Sequence, residues 1–233
     1  MVPARIDPST LGGAIVSTLN QPRVAQLLTR LYDEAAATDE RVGPRVAAAV
    51  AAGNGVFDDQ AAAALLDEAF MAVAPEVGRL LYLLVRTRRP ALVVEFGTSL
   101  GLSAIHLAAA LRDNGHGRLV TTELNPQKAE RAAAHLRTAG LDDLVEVRQG
   151  DAFTTLAGLG DIDLLLLDGW KALYLPLLQK LEPALAPGCL VIGDDTRQFP
   201  ALLAPYLAYV RDPSHGYTSS ALPLDDGLEL SIR

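Results

Sequence analysis

From Pro90 onward the chain alternates short, near-continuous apolar runs with helical periods, and few folds accept that pattern. The runs lie at residues 91–95, 119–123, 144–148, 162–167 and 189–192. Strands that are apolar on both faces must be covered on both faces, which a parallel sheet between two layers of helix provides. The intervening helices are punctuated. Asn125 can cap a helix that has Pro126 at its first position and Gly140 just past its end. The last two runs, 217–222 and 227–232, flank Asp225-Asp226-Gly227, a hairpin signal. The predicted class is α/β: a doubly wound, mostly parallel seven-stranded sheet finished by a C-terminal antiparallel hairpin.

The N-terminal part reads differently. Two alanine-rich amphipathic stretches, 21–37 and 41–52, are divided by Thr38-Asp39-Glu40 and end at a Gly53-Asn54-Gly55 break. A further helical pattern runs from Asp59 to about Arg86, with Pro75 starting its last segment. Residues 1–56 are therefore read as an N-terminal helical cap, and 57–233 as the main domain. A lid or a subunit contact is also open to the cap.

Composition removes whole classes of function. Twenty Lys and Arg stand against 28 Asp and Glu, a formal net charge of −8, which disfavours unaided binding to nucleic acid. No apolar stretch is long enough to cross a membrane. The first ten residues carry prolines and charges where a secretory signal would be apolar, so a cytoplasmic protein is expected. One cysteine, Cys189, excludes an internal disulfide and a multi-cysteine zinc site. Four histidines lack ligand-like spacing and are read as surface or structural, with His215 nearest the expected substrate rim. Any bound metal must rest on oxygen ligands.

Ligands of open α/β sheets bind beyond the carboxyl ends of strands. The first strand ends in Glu95-Phe-Gly97-Thr-Ser-Leu-Gly101-Leu-Ser103, where two glycines permit a tight turn and close approach of a ligand. The spacing is neither that of a dinucleotide fingerprint nor that of a P-loop, which speaks against a phosphate cradle and a nicotinamide dehydrogenase. Glu123, 22 residues beyond Gly101, can accept hydrogen bonds from both hydroxyls of a ribose. Gly150-Asp151-Ala152 places a carboxylate within reach of an adenine amino group. Each acid alone reads as a surface residue. Three at successive strand ends suit a cationic adenosyl ligand, S-adenosylmethionine.

Residues 71–233 resemble the class I S-adenosylmethionine-dependent methyltransferases of Rossmann-like fold. Within them they resemble the metal-dependent O-methyltransferases, the group containing catechol and caffeoyl-CoA O-methyltransferases. The matching segments are Met71-Ala-Val-Ala-Pro-Glu-Val-Gly78, Val94-Glu-Phe-Gly-Thr-Ser-Leu-Gly-Leu-Ser103, Thr122-Glu-Leu-Asn-Pro126, Gly150-Asp-Ala152, Asp168-Gly-Trp-Lys171 and Asp225-Asp-Gly-Leu228. The resemblance implies that Met71 and Val73 line the methionine side of the cofactor and that Glu95 and Ser103 hold its amino acid end. It gives the glycine turn to Gly97, Thr98 and Gly101, the ribose to Glu123 and Leu124, and the adenine to Gly150, Asp151, Ala152 and Trp170, with Asp168 beside the cofactor.

At the reacting end, Asp168 closes the fourth strand and Asp194-Asp195 the fifth. Carboxylates converging there repel one another unless a cation lies between them. Oxygen donors favour a hard divalent ion, Mg²⁺ first, with Ca²⁺ or Mn²⁺ open. The resemblance puts the family's metal on Asp168, Asp194 and Asp195, and a lysine, Lys171, beside the substrate hydroxyl as its base. The expected substrate is a small hydroxylated aromatic such as a catechol or phenol. Three departures bear on this: Asp195 stands where the family has Asn, Gly169 replaces a larger residue, and 219–224 lack the acid that catechol enzymes use. Alternatives are a metal-independent O- or N-methyltransferase and a non-catalytic adenosyl-binding protein. Singly, Asp194-Asp195 reads as a loop cap, Lys171 as a surface lysine, Trp170 as core and Cys189 as a buried strand residue. The family includes dimers and monomers, which leaves a homodimer through the N-terminal helices open.

Overall fold

The computed structural model describes residues 17–52 and 69–233. The Gly53-Asn54-Gly55 break, the helical start at Asp59 and the first ten residues lie outside these. The elements are α1 (Pro22–Ala52), α2 (Pro75–Arg88), β1 (Leu92–Phe96), α3 (Leu102–Asn114), β2 (Arg118–Glu123), α4 (Pro126–Ala139) and β3 (Val145–Gln149). After them come α5 (Ala152–Thr155), β4 (Ile162–Leu167), α6 (Tyr174–Leu181), β5 (Leu185–Gly193), α7 (Pro200–Arg211), β6 (Thr218–Leu222) and β7 (Leu228–Ile232).

The seven strands form one sheet in the order β3-β2-β1-β4-β5-β7-β6. The first five are mutually parallel, and β7 runs antiparallel between β5 and β6. Successive residues of a strand serve opposite cores, as the two-residue period of a strand requires. Val93, Leu164, Leu166 and Ile192 pack with α1, α2 and α3, while Val94, Leu165, Leu167 and Val191 pack with α6 and α7. All five residues of β1 are buried, which accounts for its apolar sequence apart from Glu95. Helix α3 is buried nearly all round, because α2 and α1 lie over it. Strand order reverses between β1 and β4, so the loops after those strands diverge and leave a crevice.

Two readings of the N-terminal half change. The polar triplet Thr38-Asp39-Glu40 does not divide two helices. Residues 22–52 form a single helix that passes through it and through Pro44. Asp39 and Glu40 are exposed, where charge is compatible with a helix, and Pro44 removes only one backbone donor. Secondly, the helical pattern before Arg86 is interrupted: residues 69–74 are not helical and Pro75 begins α2. Met71 has a left-handed φ of 46°, and the carbonyls of Ala69 and Phe70 are bonded to side chains elsewhere in the fold. Val24, Leu27, Leu28 and Leu31 of α1 pack into the same core as α2 and α3. Among the described residues no helix is long and apolar enough to cross a membrane.

The C-terminal hairpin is tied to the end of β5. Thr196 donates its N–H to the carbonyl of Gly227 at 2.9 Å, and Arg197 to that of Asp226 at 2.7 Å. Glu229 of β7, fully buried, is held by the Arg211 guanidinium at 2.9 and 2.6 Å and by the Ser219 hydroxyl at 2.6 Å. His215 is not at the substrate rim. Strand β6 runs in the direction of β5, so the residues before it lie at the opposite end of the sheet from Asp194. There the imidazole stacks on Tyr209, with ring centroids 3.9 Å apart. Cys189 is buried in β5, its thiol pushed up to about 12 by that burial.

Candidate active site

A cleft of about 340 Å³ opens above the carboxyl ends of β1, β2, β3 and β4. Met71, Gly97, Glu123, Leu124, Gly150, Asp151, Ala152, Asp168 and Trp170, all singled out from the sequence, line it. Val73, Thr98 and Ser103 border a small recess beside it, which shares Met71, Gly97 and Asp168 with the main cleft. Glu95 and Gly101 line neither. Gly101, at φ 85°, turns the chain into α3 and lies against Ala132 of α4.

The turn after β1 is sterically fixed. Gly97 has φ +102°, and a Cβ there would lie 2.5 Å from the carbonyl oxygen of Asp168. Only a glycine admits both the conformation and the approach of the two strand-end loops. Gly169 has a different constraint: a Cβ would lie 2.5 Å from the ring of Phe96, which lines the cleft. The ring therefore occupies space that a larger residue at 169 would fill.

Glu123 lines the cleft with its carboxylate already oriented. One oxygen accepts the Ser99 N–H at 2.8 Å and the other the Asn125 N–H at 2.9 Å. Each oxygen keeps further lone-pair capacity toward a ligand. Asp151 takes the Phe153 N–H at 3.3 Å and so caps α5 at the rim.

Glu95 is fully buried, below the cleft. Its Oε2 accepts the Thr121 hydroxyl at 2.5 Å, and Thr98 in turn donates to Thr121 at 2.5 Å. Oε1 has no hydrogen-bond partner among the described residues. Burial pushes this carboxyl up to about 7, against the pull of the Ser103 and Thr121 hydroxyls, and Glu123 adds to the rise.

Pairing of Leu167 with Gly193 brings the ends of β4 and β5 side by side, and with them Asp168, Asp194 and Asp195. Asp168 is raised well above the ordinary carboxylate range by burial and then by Asp194. Asp194 is pushed up to about 7 by burial and then by Asp195. Asp195 has a left-handed φ of 61°, a conformation in which Asn and Asp are enriched. The hairpin turn adds Asp226, raised by burial, by Asp225 and by Asp195.

The Lys171 side chain projects into this acidic corner, and Arg197 acts on Asp226. The Lys171 ammonium lies 2.6 Å from Asp195 Oδ2 and 3.4 Å from Asp168 Oδ1, and it donates to the Tyr174 hydroxyl at 2.8 Å. Burial works against its charge, but Tyr174, Asp168 and Asp195 outweigh burial and hold it well above the usual lysine range. As the side chains stand, no group of three or more His, Cys, Asp or Glu among the described residues is arranged around a common point to hold a metal ion. The donor chemistry nevertheless suits a hard divalent cation. Asp168, Asp194 and Asp195 carry three potential negative charges, and one ammonium offsets only one of them.

Several residues of the site escape sequence reasoning. Phe96 and Ser99 lie inside the glycine motif but read as strand end and turn. Tyr174 reads as the start of an amphipathic helix. Lys128 reads as a solvated helix residue, yet it is buried and lines the cleft. None has a local signal, because each reaches the site by packing.

Known proteins resemble this chain in sequence and in fold. A family model described as a methyltransferase domain matches residues 94–196. A catechol O-methyltransferase of Niastella koreensis is 34% identical over 130 residues, spanning 54% of this chain and 58% of that protein. The catechol O-methyltransferase of Mycobacterium tuberculosis is 34% identical over 157 residues, covering 64% of this chain and 70% of that protein. The crystal structure of an O-methyltransferase from Bacillus cereus in complex with SAH superposes with a TM-score of 0.62 at 26% identity, over 70% of this chain and 82% of that one. The chain belongs to the class I S-adenosylmethionine-dependent O-methyltransferases.

Proposed function

We propose that the protein transfers a methyl group from S-adenosylmethionine to a hydroxyl of a small catechol-like or phenolic molecule, assisted by a divalent cation. The observation that carries this reading is the junction of two half-sites: the cleft at the ends of β1 to β4, and the acidic corner that meets it at Asp168. In this reading Met71 and Val73 line the methionine side, and Ser103 and Glu95 serve the amino acid end. Glu123 takes the ribose hydroxyls, and Asp151, Ala152 and Trp170 surround the adenine. Asp168, Asp194 and Asp195 would hold the cation, Mg²⁺ before Ca²⁺ or Mn²⁺, and a bound cation lowers the pKa of a hydroxyl that it coordinates. Positioning the acceptor oxygen in line with the departing sulfur supplies much of the remaining catalysis.

Lys171 has two roles here. Without a cation its ammonium lies between Asp195 and Asp168 and offsets one of their charges. Were those carboxylates engaged by a cation, the ammonium would release a proton to solvent, and the neutral Nζ would then accept the substrate hydroxyl proton. A metal-independent methyltransferase of the same fold is the second reading, favoured by the Lys171 ammonium already standing between Asp195 and Asp168. Methyl transfer to a panel of catechols and phenols, run with Mg²⁺ and with excess EDTA, separates the two. Loss of activity in EDTA and its return with Mg²⁺ are expected, while undiminished turnover in EDTA would remove the cation from the mechanism. Lys171→Met should lower kcat by about 10²-fold or more, the scale of a general base, and change the affinity for S-adenosylhomocysteine little. A variant with wild-type kcat would end the role of Lys171 as base.

A further inference from the structure

Helix α4 turns two cationic side chains onto the chain segment that roofs the cleft. Lys128 is 6% exposed, and its ammonium donates to the carbonyl of Ala69 at 2.8 Å. Three residues further along, the Arg131 guanidinium lies over the ring of Phe70, 5.5 Å from its centroid. From below, the Ser99 hydroxyl donates to the carbonyl of Phe70 at 2.5 Å, while the Ser99 N–H orients Glu123. From above, Asp39 of α1, its carboxyl raised by burial, is pulled back down by the Phe70 N–H and by the charge of Lys128. Val42 of α1 packs with Ala69 and Trp170.

These contacts converge on the two residues just before Met71. Met71 forms part of the cleft wall and is held in a left-handed conformation that non-glycine residues rarely adopt. No helix or strand includes residues 69–74, and side chains from α4 and the β1 turn hold the carbonyls of Ala69 and Phe70. Lys128 is buried despite the cost of desolvating an ammonium, and it meets the Ala69 carbonyl, the Ser99 hydroxyl at 3.5 Å and the charge of Asp39. We propose that Lys128, with Arg131, is a positioning latch for the cofactor: it clamps residues 69–71, and through Asp39 the N-terminal helix, onto the ribose end of the cleft. The latch sets how tightly the adenosyl ligand is held and how fast it leaves. It rests on the reading of the cleft as the S-adenosylmethionine site.

Trp170, the single tryptophan of the chain, lines the same cleft and reports on it by fluorescence. The experiment is calorimetric titration of S-adenosylhomocysteine, with stopped-flow release followed at Trp170, on wild type, Lys128→Met, Lys128→Arg and Arg131→Ala. Lys128→Met should weaken binding about tenfold, mainly through faster release, and Arg131→Ala about threefold. Lys128→Arg should recover most of the loss, because a guanidinium can still donate to Ala69, whereas a merely structural defect would not be rescued in this way. Binding by Lys128→Met within twofold of wild type overturns the latch. If Lys128→Met fails to fold, Arg131→Ala decides, and wild-type affinity and release rate in that variant overturn the proposal equally. Absence of binding by the wild type refutes the reading of the cleft itself, an outcome distinct from failure of the latch.

Discussion

Gly97 and Gly169 show how single residues set the shape of the cleft. Each is a glycine because a neighbouring atom occupies the place of its Cβ: backbone of Asp168 at one, the ring of Phe96 at the other. The first reason is visible in the sequence as a glycine motif. The second is not, because Phe96 is 73 residues away in the chain and meets Gly169 only through the pairing of β1 with β4. Gly169→Ala should therefore destabilise the protein by about 1–3 kcal/mol, the usual scale of overpacking, and weaken S-adenosylhomocysteine binding. Phe96→Leu in the same chain should restore part of both losses. Chemical denaturation of the two variants tests this, and additive effects of the two changes would disprove the coupling. Lys171 is likewise half legible. Its spacing from Asp168 marks it as a site residue, but its protonation depends on Tyr174 and Asp195, which the sequence does not place beside it.

Among the elements, α4 has the most complete local code. The Asn125 side chain accepts the N–H groups of Gln127 and Lys128, Pro126 fills the first position, and Gly140 ends the helix in a left-handed conformation. Asn125→Ala removes the cap and should cost about 1 kcal/mol, lowering the thermal midpoint by about 2–4 °C for a chain of this size. Asn125→Asp should keep the wild-type midpoint, and an unshifted midpoint in the alanine variant would show that the cap is dispensable. Helix α1 is the opposite case. Its polar triplet looks like a boundary, yet the helix continues, since the buried Ala35 and Val42 on either side keep one face against the fold. Residues 69–74 fail for the converse reason. Their composition suits a helix, but their carbonyls are claimed by Lys128 and Ser99, contacts that no local propensity encodes.

For the whole molecule, the burial of unneutralised acids ties stability to pH. Glu95 titrates at about 7 in the fold, against an ordinary value of 4.5. Between those values the folded chain keeps a proton that the unfolded chain has released, so stability falls as pH rises through the window and levels off above it. The term is on the order of 3 kcal/mol. Asp168 and Asp194 are shifted in the same direction. The ligand-free protein should melt at a higher temperature near pH 5 than near pH 8, and Glu95→Gln should reduce that difference without abolishing it. A midpoint independent of pH across this range, or a slope unchanged in Glu95→Gln, would count against the assignment.

The sequence by itself determined the sheet, its hairpin and the glycine turn, because apolar period, caps and turn residues are local signals that each segment carries alone. It also named most of the acids at the strand ends, since strand ends follow from strands. Only the tertiary structure decided what those acids face. Strand order set Asp168 beside Asp194, packing of α4 brought Lys128 over the roof of the cleft, and burial raised the carboxyls of Glu95 and Asp194. Such properties arise from neighbours far apart in the chain and from exclusion of water, and neither is encoded in any short stretch of residues.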